Sequence, residues 1–150
     1  MRIVSVGKRA QGEHLAQLTG YEKRLDKHRS LEWVFIAPSG HAKDLARRAE
    51  SDAVRQKLRS GDIMVLLDER GKELTSEAFA KQLDGWIGLG RPVTFVIGGA
   101  YGVDDELRAR ADFTWSLSPL VFPHEIVRLV LVEQVYRAQC ISAGHPYHHV

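Results

Sequence analysis

The chain contains almost no cysteine: in 150 residues the single thiol belongs to Cys140. An internal disulfide needs two cysteines and a Cys-based zinc cluster needs more, so stability has to come from packing. Also missing is any apolar segment long enough for a signal peptide or a membrane span. The N-terminus Met1-Arg-Ile-Val-Ser-Val-Gly-Lys8 runs straight into a strand-like pattern. These two absences predict a cytoplasmic protein with no membrane association. Several catalytic signatures are absent as well. Gly7-Lys-Arg-Ala-Gln-Gly12 has the glycine spacing of a P-loop, but Glu13-His14 stands where Lys and Ser/Thr should follow, and a carboxylate there would repel phosphate. Gly98-Gly-Ala-Tyr-Gly102 lacks dinucleotide-fingerprint spacing and follows the fourth strand-like run, whereas a Rossmann turn opens the first. There is no Gly-x-Ser-x-Gly elbow. His145, His148 and His149 are accompanied by no cysteine or suitably spaced carboxylate, so no metal site is expected. Cys140 falls in a helical stretch and reads as a small packed residue.

What is present is the composition of an ordinary globular protein, with 44% hydrophobic and 27% charged residues. The length fits one domain over residues 1–150, large enough to bury a core without staples. Net charge is only +2, but it is unevenly spread: residues 1–60 hold 13 Lys and Arg against 7 Asp and Glu, residues 61–150 hold 8 against 12. Lys8-Arg9, Lys23-Arg24, Lys27-His-Arg29, Arg47-Arg48 and Arg55-Gln-Lys-Leu-Arg59 make the N-terminal half the expected face for a polyanion such as RNA. The plainer reading of the same clusters is solvated helix surface.

Short β-branched runs alternate with longer stretches of helical period, the signature of an α/β domain with a mainly parallel sheet flanked by helices. Strands are predicted at Ile3–Val6, Leu31–Ile36, Ile63–Leu67, Val93–Ile97 and Phe113–Ser116. Helices are predicted over Glu13–Lys27 and Ala42–Arg59, from Thr75 onward with Thr75 as cap, briefly after Gly102, and from Pro123 to Ser142. The last helix carries apolar residues at Ile126, Val127, Leu129, Val130, Leu131, Val132 and Val135, wider than one face. A second partner is then required, and a homodimer supplies it; the alternative is a central helix in a monomer.

Ligands of open α/β sheets bind beyond the carboxyl ends of strands, which directs attention to the loops after residues 67, 97 and 116. Leu67-Asp-Glu-Arg-Gly71 offers a sharp turn, Gly98-Gly99 lets a ligand approach bare backbone, and Leu117–Phe122 presents main-chain groups between apolar side chains. Such a lining suits an adenine ring, whose edge backbone groups can read. At the other end, Tyr147-His148 offers a ring that can stack and an imidazole that titrates near neutrality, a combination suited to a flipped nucleotide. His124, at the start of a helix, reads as structural or positioning, because a helix N-terminus disfavours its cation.

Val4-Ser-Val-Gly-Lys8, Leu67-Asp68 with Gly71-Lys72, Ile97-Gly-Gly with Gly102, Trp115-Ser-Leu-Ser, Pro123-His124, Arg128, Glu133-Gln-Val-Tyr-Arg-Ala138 and His145-Pro-Tyr-His148 occur in one order along nearly the whole chain. In that series the sequence closely resembles the large-subunit ribosomal RNA methyltransferase H family of the SPOUT superfamily. The resemblance implies a C-terminal trefoil knot, an exception to the usual rule against threading. It implies an S-adenosylmethionine-dependent enzyme that methylates N3 of a pseudouridine in 23S ribosomal RNA, acting as a homodimer on the assembled ribosome. It also implies a cofactor pocket made by Leu67, Gly98, Gly99, Leu117, Ser118, Pro119, Leu120, Val121 and Phe122, with Tyr147 and His148 over the target base. The N3 proton can leave to His148, or the target can ionise with electrostatic help from Arg128 or Arg137, and both routes stay open. Ala100-Tyr101 and the extra His149-Val150 depart from the family pattern. The competing class is a non-catalytic RNA- or ribosome-binding module of the same fold, which would bind RNA but no cofactor.

Overall fold

The computed structural model describes residues 1–9, 11–27 and 29–147. Strands β1 (Arg2–Val6), β2 (Glu32–Ile36), β3 (Ile63–Glu73), β4 (Val93–Ile97) and β5 (Phe113–Ser116) form one sheet in the order β2-β1-β4-β3-β5, with every pairing parallel. Parallel neighbours cannot be joined by hairpins, so each connection is a crossover. The crossovers contain α1 (Gly12–Glu22), α2 (Lys43–Lys57), α3 (Ser76–Gly88) and α4 (Asp105–Ala109); α5 (His124–Ser142) follows the last strand. Side chains alternate across the sheet. Ile3, Val65, Phe95 and Trp115 pack with α1, α3 and α5 on one face, while Val4, Leu66 and Val96 pack with Val54 of α2 and Leu107 of α4 on the other. A sheet covered on both faces explains why its strands are almost continuously apolar.

The helix boundaries follow local chemistry. Thr75 caps α3 by accepting from the Ala78 amide, and Asp104 caps α4 by accepting from the Leu107 amide, each such cap being worth about 1 kcal/mol. The first helix ends at Glu22 rather than Lys27. Gln139 of α5 is the reason: it accepts from the Asp26 amide and donates to the Arg24 carbonyl, capturing backbone that a longer helix would have used internally. The second helix ends at Lys57 because Leu58 turns to extended geometry.

The third strand departs furthest from expectation. It does not stop at Leu67 but runs to Glu73, with a register shift against β5 between Leu67 and Lys72. The intervening residues bulge outward, and Lys72 and Glu73 rejoin β5 beside Trp115 and Ser116. Gly71 permits this: a Cβ there would lie 2.7 Å from the Thr114 carbonyl group. The last helix packs on both α1 and α3, so its wide apolar surface is covered in large part within one chain. Leu131, Val132, Val135 and Ala138 are fully buried, whereas Ile126, Val127, Leu129 and Val130 of its first half stay half-buried.

Candidate active site

A cavity of about 700 Å³ opens at the carboxyl ends of β3 and β4 and below the loop that leaves β5. That size suits a nucleoside-bearing ligand. Its walls are mainly apolar, from Leu67, Ile97, Leu117, Leu120, Phe122 and Val127, with backbone of Gly98 through Gly102 on one side. Of the residues expected to hold a cofactor, all but Pro119 line it. The Ser118 hydroxyl accepts from the Leu120 amide at 3.1 Å, closing a small turn that carries Pro119 out to solvent.

The bulge of β3 supplies the cavity's charged rim. One Asp68 carboxylate oxygen accepts from the Arg70 amide and Nε at 3.0 and 3.2 Å, and the other accepts from Arg108 Nη1 of α4 at 2.6 Å. Burial pushes the Asp68 carboxyl up, but the Arg70 amide and the Arg108 guanidinium outweigh it, leaving the group below the ordinary aspartate range. Trp115, which also lines the cavity, stacks on Phe79 at 4.0 Å between ring centroids.

Gly98 and Gly99 are required by space. A Cβ on Gly98 would meet Val103 at 2.9 Å, and one on Gly99 would meet Glu50 Oε2 at 1.9 Å. Glu50 comes from α2, is 6% exposed, and accepts from the Ser39 amide at 2.8 Å through Oε1. Sequence reasoning missed it, because Arg47-Arg-Ala-Glu50 reads as a solvated helix face. His124 lines the cavity. Burial foremost, and then the charge of Arg128, hold its pKa below the usual histidine value.

Arg128 is not in the cavity. It is 2% exposed and reaches from α5 to the end of β1, where Nε donates to Ser5 Oγ at 2.9 Å, Nη2 to the Val6 carbonyl at 2.9 Å and Nη1 to the Lys8 carbonyl at 2.6 Å. Its guanidinium also lies over the Phe35 ring, 5.3 Å from the centroid. Gly7 makes room, since a Cβ there would approach Nη2 to 2.6 Å. This side chain clamps β1 to α5 and does not itself line the cavity.

Arg137 and Tyr147 form a second cluster further along α5. Arg137 pairs with Glu133 at 2.5 Å and lies 4.9 Å from the Tyr147 ring centroid. The Tyr147 hydroxyl is 3.2 Å from Glu133 Oε1 and 3.3 Å from the Tyr21 hydroxyl, and its ring meets Tyr136 edge-on at 4.9 Å. Burial, the Tyr21 hydroxyl and the Glu133 carboxylate raise the Tyr147 pKa above that of a free phenol. Neither residue lines the cavity. Arg137 lies thirteen residues beyond His124 on one helix, so the two groups are separated by about 20 Å at 1.5 Å per residue. His148 and His149 lie outside the described residues. Among the described residues no group of histidine, cysteine and carboxylate side chains could hold a metal ion, and no helix is long and apolar enough to cross a membrane.

Several of the basic clusters are spoken for internally. Arg29 pairs with Asp26 and Asp84, Arg47 with Asp44, Arg55 with Asp52 and Asp104, and Arg59 with Glu32. Lys8, Arg9, Lys23, Arg24 and Lys27 are exposed.

A family model described as "Predicted SPOUT methyltransferase" matches residues 1–148. Proteins named "Ribosomal RNA large subunit methyltransferase H" match over almost their full length. That of Thioalkalivibrio sulfidiphilus is 40% identical, covering 99% of this chain and 97% of its own, and that of Ruegeria sp. is 41% identical, covering 100% and 99%. That of Gluconacetobacter diazotrophicus is 40% identical, covering 99% and 96%. The chain belongs to this family of SPOUT methyltransferases. Membership makes it a methyltransferase, and the parallel sheet with helices on both faces is the α/β architecture expected of a SPOUT enzyme.

Proposed function

We propose that this chain methylates N3 of a pseudouridine in 23S ribosomal RNA, using S-adenosylmethionine, on the assembled ribosome. It does so as a homodimer of one domain over residues 1–150, in the cytoplasm, with the trefoil knot of its superfamily. The observation that carries this reading is the cavity at the strand ends, apolar and backbone-lined, in a chain about 40% identical to proteins bearing the rRNA methyltransferase name. The non-catalytic module gives no reason for such a cavity.

Bound there, S-adenosylmethionine supplies a sulfonium methyl group already activated for transfer. The protein's task is then orientation and exclusion of water. Leu67, Ile97, Leu117 and Phe122 wall an adenine ring, and the backbone of Gly98, Gly99 and the loop from Leu117 to Phe122, with Ser118, Leu120 and Val121, reads its edge and sugar. Arg137, Tyr147 and His148 hold the acceptor. Tyr147 stacks, Arg137 offsets the charge that develops as N3 ionises, and His148 takes the proton if a base is used. Because Arg137 lies about 15 Å along α5 from Val127, the last cavity-lining residue of that helix, and neither it nor Tyr147 lines the cavity of its own chain, the neighbouring subunit's tail is the one that closes over each cavity. Leu120 and Val121, 67% and 87% exposed, with the half-buried start of α5, form the apolar patch that a second copy would cover. Exposed Lys8, Arg9, Lys23, Arg24 and Lys27 take phosphates.

The deciding measurement is a titration of purified protein with S-adenosylmethionine, followed by transfer of labelled methyl to ribosomes and to free ribosomal RNA. Saturable cofactor binding with transfer to ribosomes is expected. RNA binding without cofactor binding would instead select the non-catalytic module.

A further inference from the structure

The cavity's lining holds acidic and basic side chains at one place. Among the described residues these are Asp68, Glu69 and Arg70, consecutive on the bulge of β3; the rest of the wall consists of apolar side chains, backbone, Tyr101, Ser118 and His124. In a regular strand successive side chains point to opposite faces. The register shift between Leu67 and Lys72 breaks that alternation, and all three bulge residues line one cavity. They are not equivalent. Asp68 is fully engaged: its side chain is 5% exposed, Oδ1 accepts from the Arg70 amide and Nε, and Oδ2 accepts from Arg108. Glu69 and Arg70 stay open, 49% and 62% exposed, with Arg70 Nε 3.6 Å from Glu69 Oε1. The Arg70 guanidinium is anchored through Nε at 3.2 Å from Asp68, and Nη1 and Nη2 have no hydrogen-bond partner among the described residues.

The wall therefore presents a fixed guanidinium fork beside an open carboxylate. A lone cation would be repelled by Arg70 and a lone anion by Glu69. An RNA phosphate satisfies only the guanidinium and leaves Glu69 facing like charge. A zwitterion suits both. The carboxylate of an α-amino acid can take parallel N–H bonds from Nη1 and Nη2, while its ammonium, on the adjacent carbon, donates to the Glu69 carboxylate. We propose that Glu69 and Arg70 bind the amino-acid end of S-adenosylmethionine, with Arg70 at its carboxylate and Glu69 at its ammonium. The inference rests on the cavity being the cofactor site. It adds an ionic contact to the adenine and sugar contacts, and that contact reads methylated and demethylated cofactor alike.

The test is calorimetric titration of the full chain, as wild type, Arg70→Gln and Glu69→Gln, with three probes. S-adenosylhomocysteine keeps both charged groups, decarboxylated S-adenosylmethionine keeps the ammonium without the carboxylate, and methylthioadenosine has neither. Wild type should bind S-adenosylhomocysteine more tightly than methylthioadenosine. Arg70→Gln should weaken S-adenosylhomocysteine by about tenfold and weaken neither of the other probes, whereas Glu69→Gln should weaken both ammonium-bearing probes by about tenfold and spare methylthioadenosine. Unchanged methylthioadenosine binding shows in the same experiment that each variant is folded. A loss shared equally by all three probes, or no loss, overturns the assignment. So does normal S-adenosylhomocysteine binding by Arg70→Gln with lost methyl transfer to ribosomes, which would give the guanidinium to an RNA phosphate. A wild-type chain that binds methylthioadenosine as tightly as S-adenosylhomocysteine overturns the ionic contact and leaves the cofactor reading standing; one that binds none of the probes overturns both.

Discussion

Arg128 shows how much one side chain can hold. Its guanidinium satisfies a hydroxyl and two carbonyls at and just beyond the end of a wholly buried strand, and the bonds to Ser5 and Val6 are buried from solvent. Arg128→Met keeps the stem and volume but strands all three acceptors, so it should lower the unfolding free energy by about 3 kcal/mol, read from urea titration. A loss within error of zero would mean that the clamp contributes nothing to stability. Gly99 makes the complementary case, because the obstacle there is space. Gly99→Ala should destabilise the fold by about 1–3 kcal/mol as Glu50 is forced aside. Glu50→Ala removes the obstacle, and a double-mutant cycle should then return a coupling of about 1 kcal/mol or more. Purely additive losses would show that the two residues do not compete for that space. Neither relation is legible in the sequence. Arg128 reads as a free cation for the RNA enzyme that the motifs suggest, and Glu50 as surface, because both acquire their roles from residues far away in the chain: Ser5 and Gly99 respectively. The cofactor lining is legible, since it consists of loops that follow obvious strands.

At the scale of elements, β3 supplies the charged part of the cavity lining. Periodicity locates its start, but Asp68-Glu-Arg-Gly71 has the composition of a turn and hides the return of Lys72 and Glu73 to β5. The bulge survives because Asp68 ties it both to itself, through Arg70, and to α4, through Arg108. The sign of the pH dependence follows from the lowered Asp68 pKa. A carboxylate whose folded value lies below its unfolded value contributes fully above the unfolded value, near 3.9, and loses that contribution as pH falls through the folded one. Asp68→Asn should therefore cost about 1–3 kcal/mol at pH 7. The gap to wild type should close progressively below about pH 4, measured by denaturant titration across that range. A gap that persisted unchanged in acid would assign the stabilisation to packing rather than charge. The end of α1 was hidden for a related reason: its stop is set by Gln139 on the last helix, not by any breaker of its own.

For the whole molecule, the question is why the cavity and the Arg137–Tyr147 cluster occur at opposite ends of one helix. Within a single chain neither Arg137 nor Tyr147 lines the cavity, whereas a two-fold partner lying along α5 would bring the tail of one copy to the cavity of the other, and the apolar Leu120–Val121 patch gives such a partner a place to pack. Mixing two inactive variants discriminates the arrangements. Ser118→Trp fills the cavity but leaves the tail, whereas Tyr147→Ala combined with His148→Ala removes the tail's ring and imidazole but leaves the cavity. Refolded together, half of the dimers are mixed, and in each of these one site joins an intact cavity to an intact tail if the tail acts across the interface. Methyl transfer to ribosomes should then recover to about a quarter of the wild-type rate from two parents that are each nearly inactive, the fraction set by random pairing in a closed two-fold dimer. If the tail closes over its own cavity, mixed dimers contain no complete site and the mixture stays as inactive as its parents, so the recovered rate alone decides whether the enzyme is built from one chain or two.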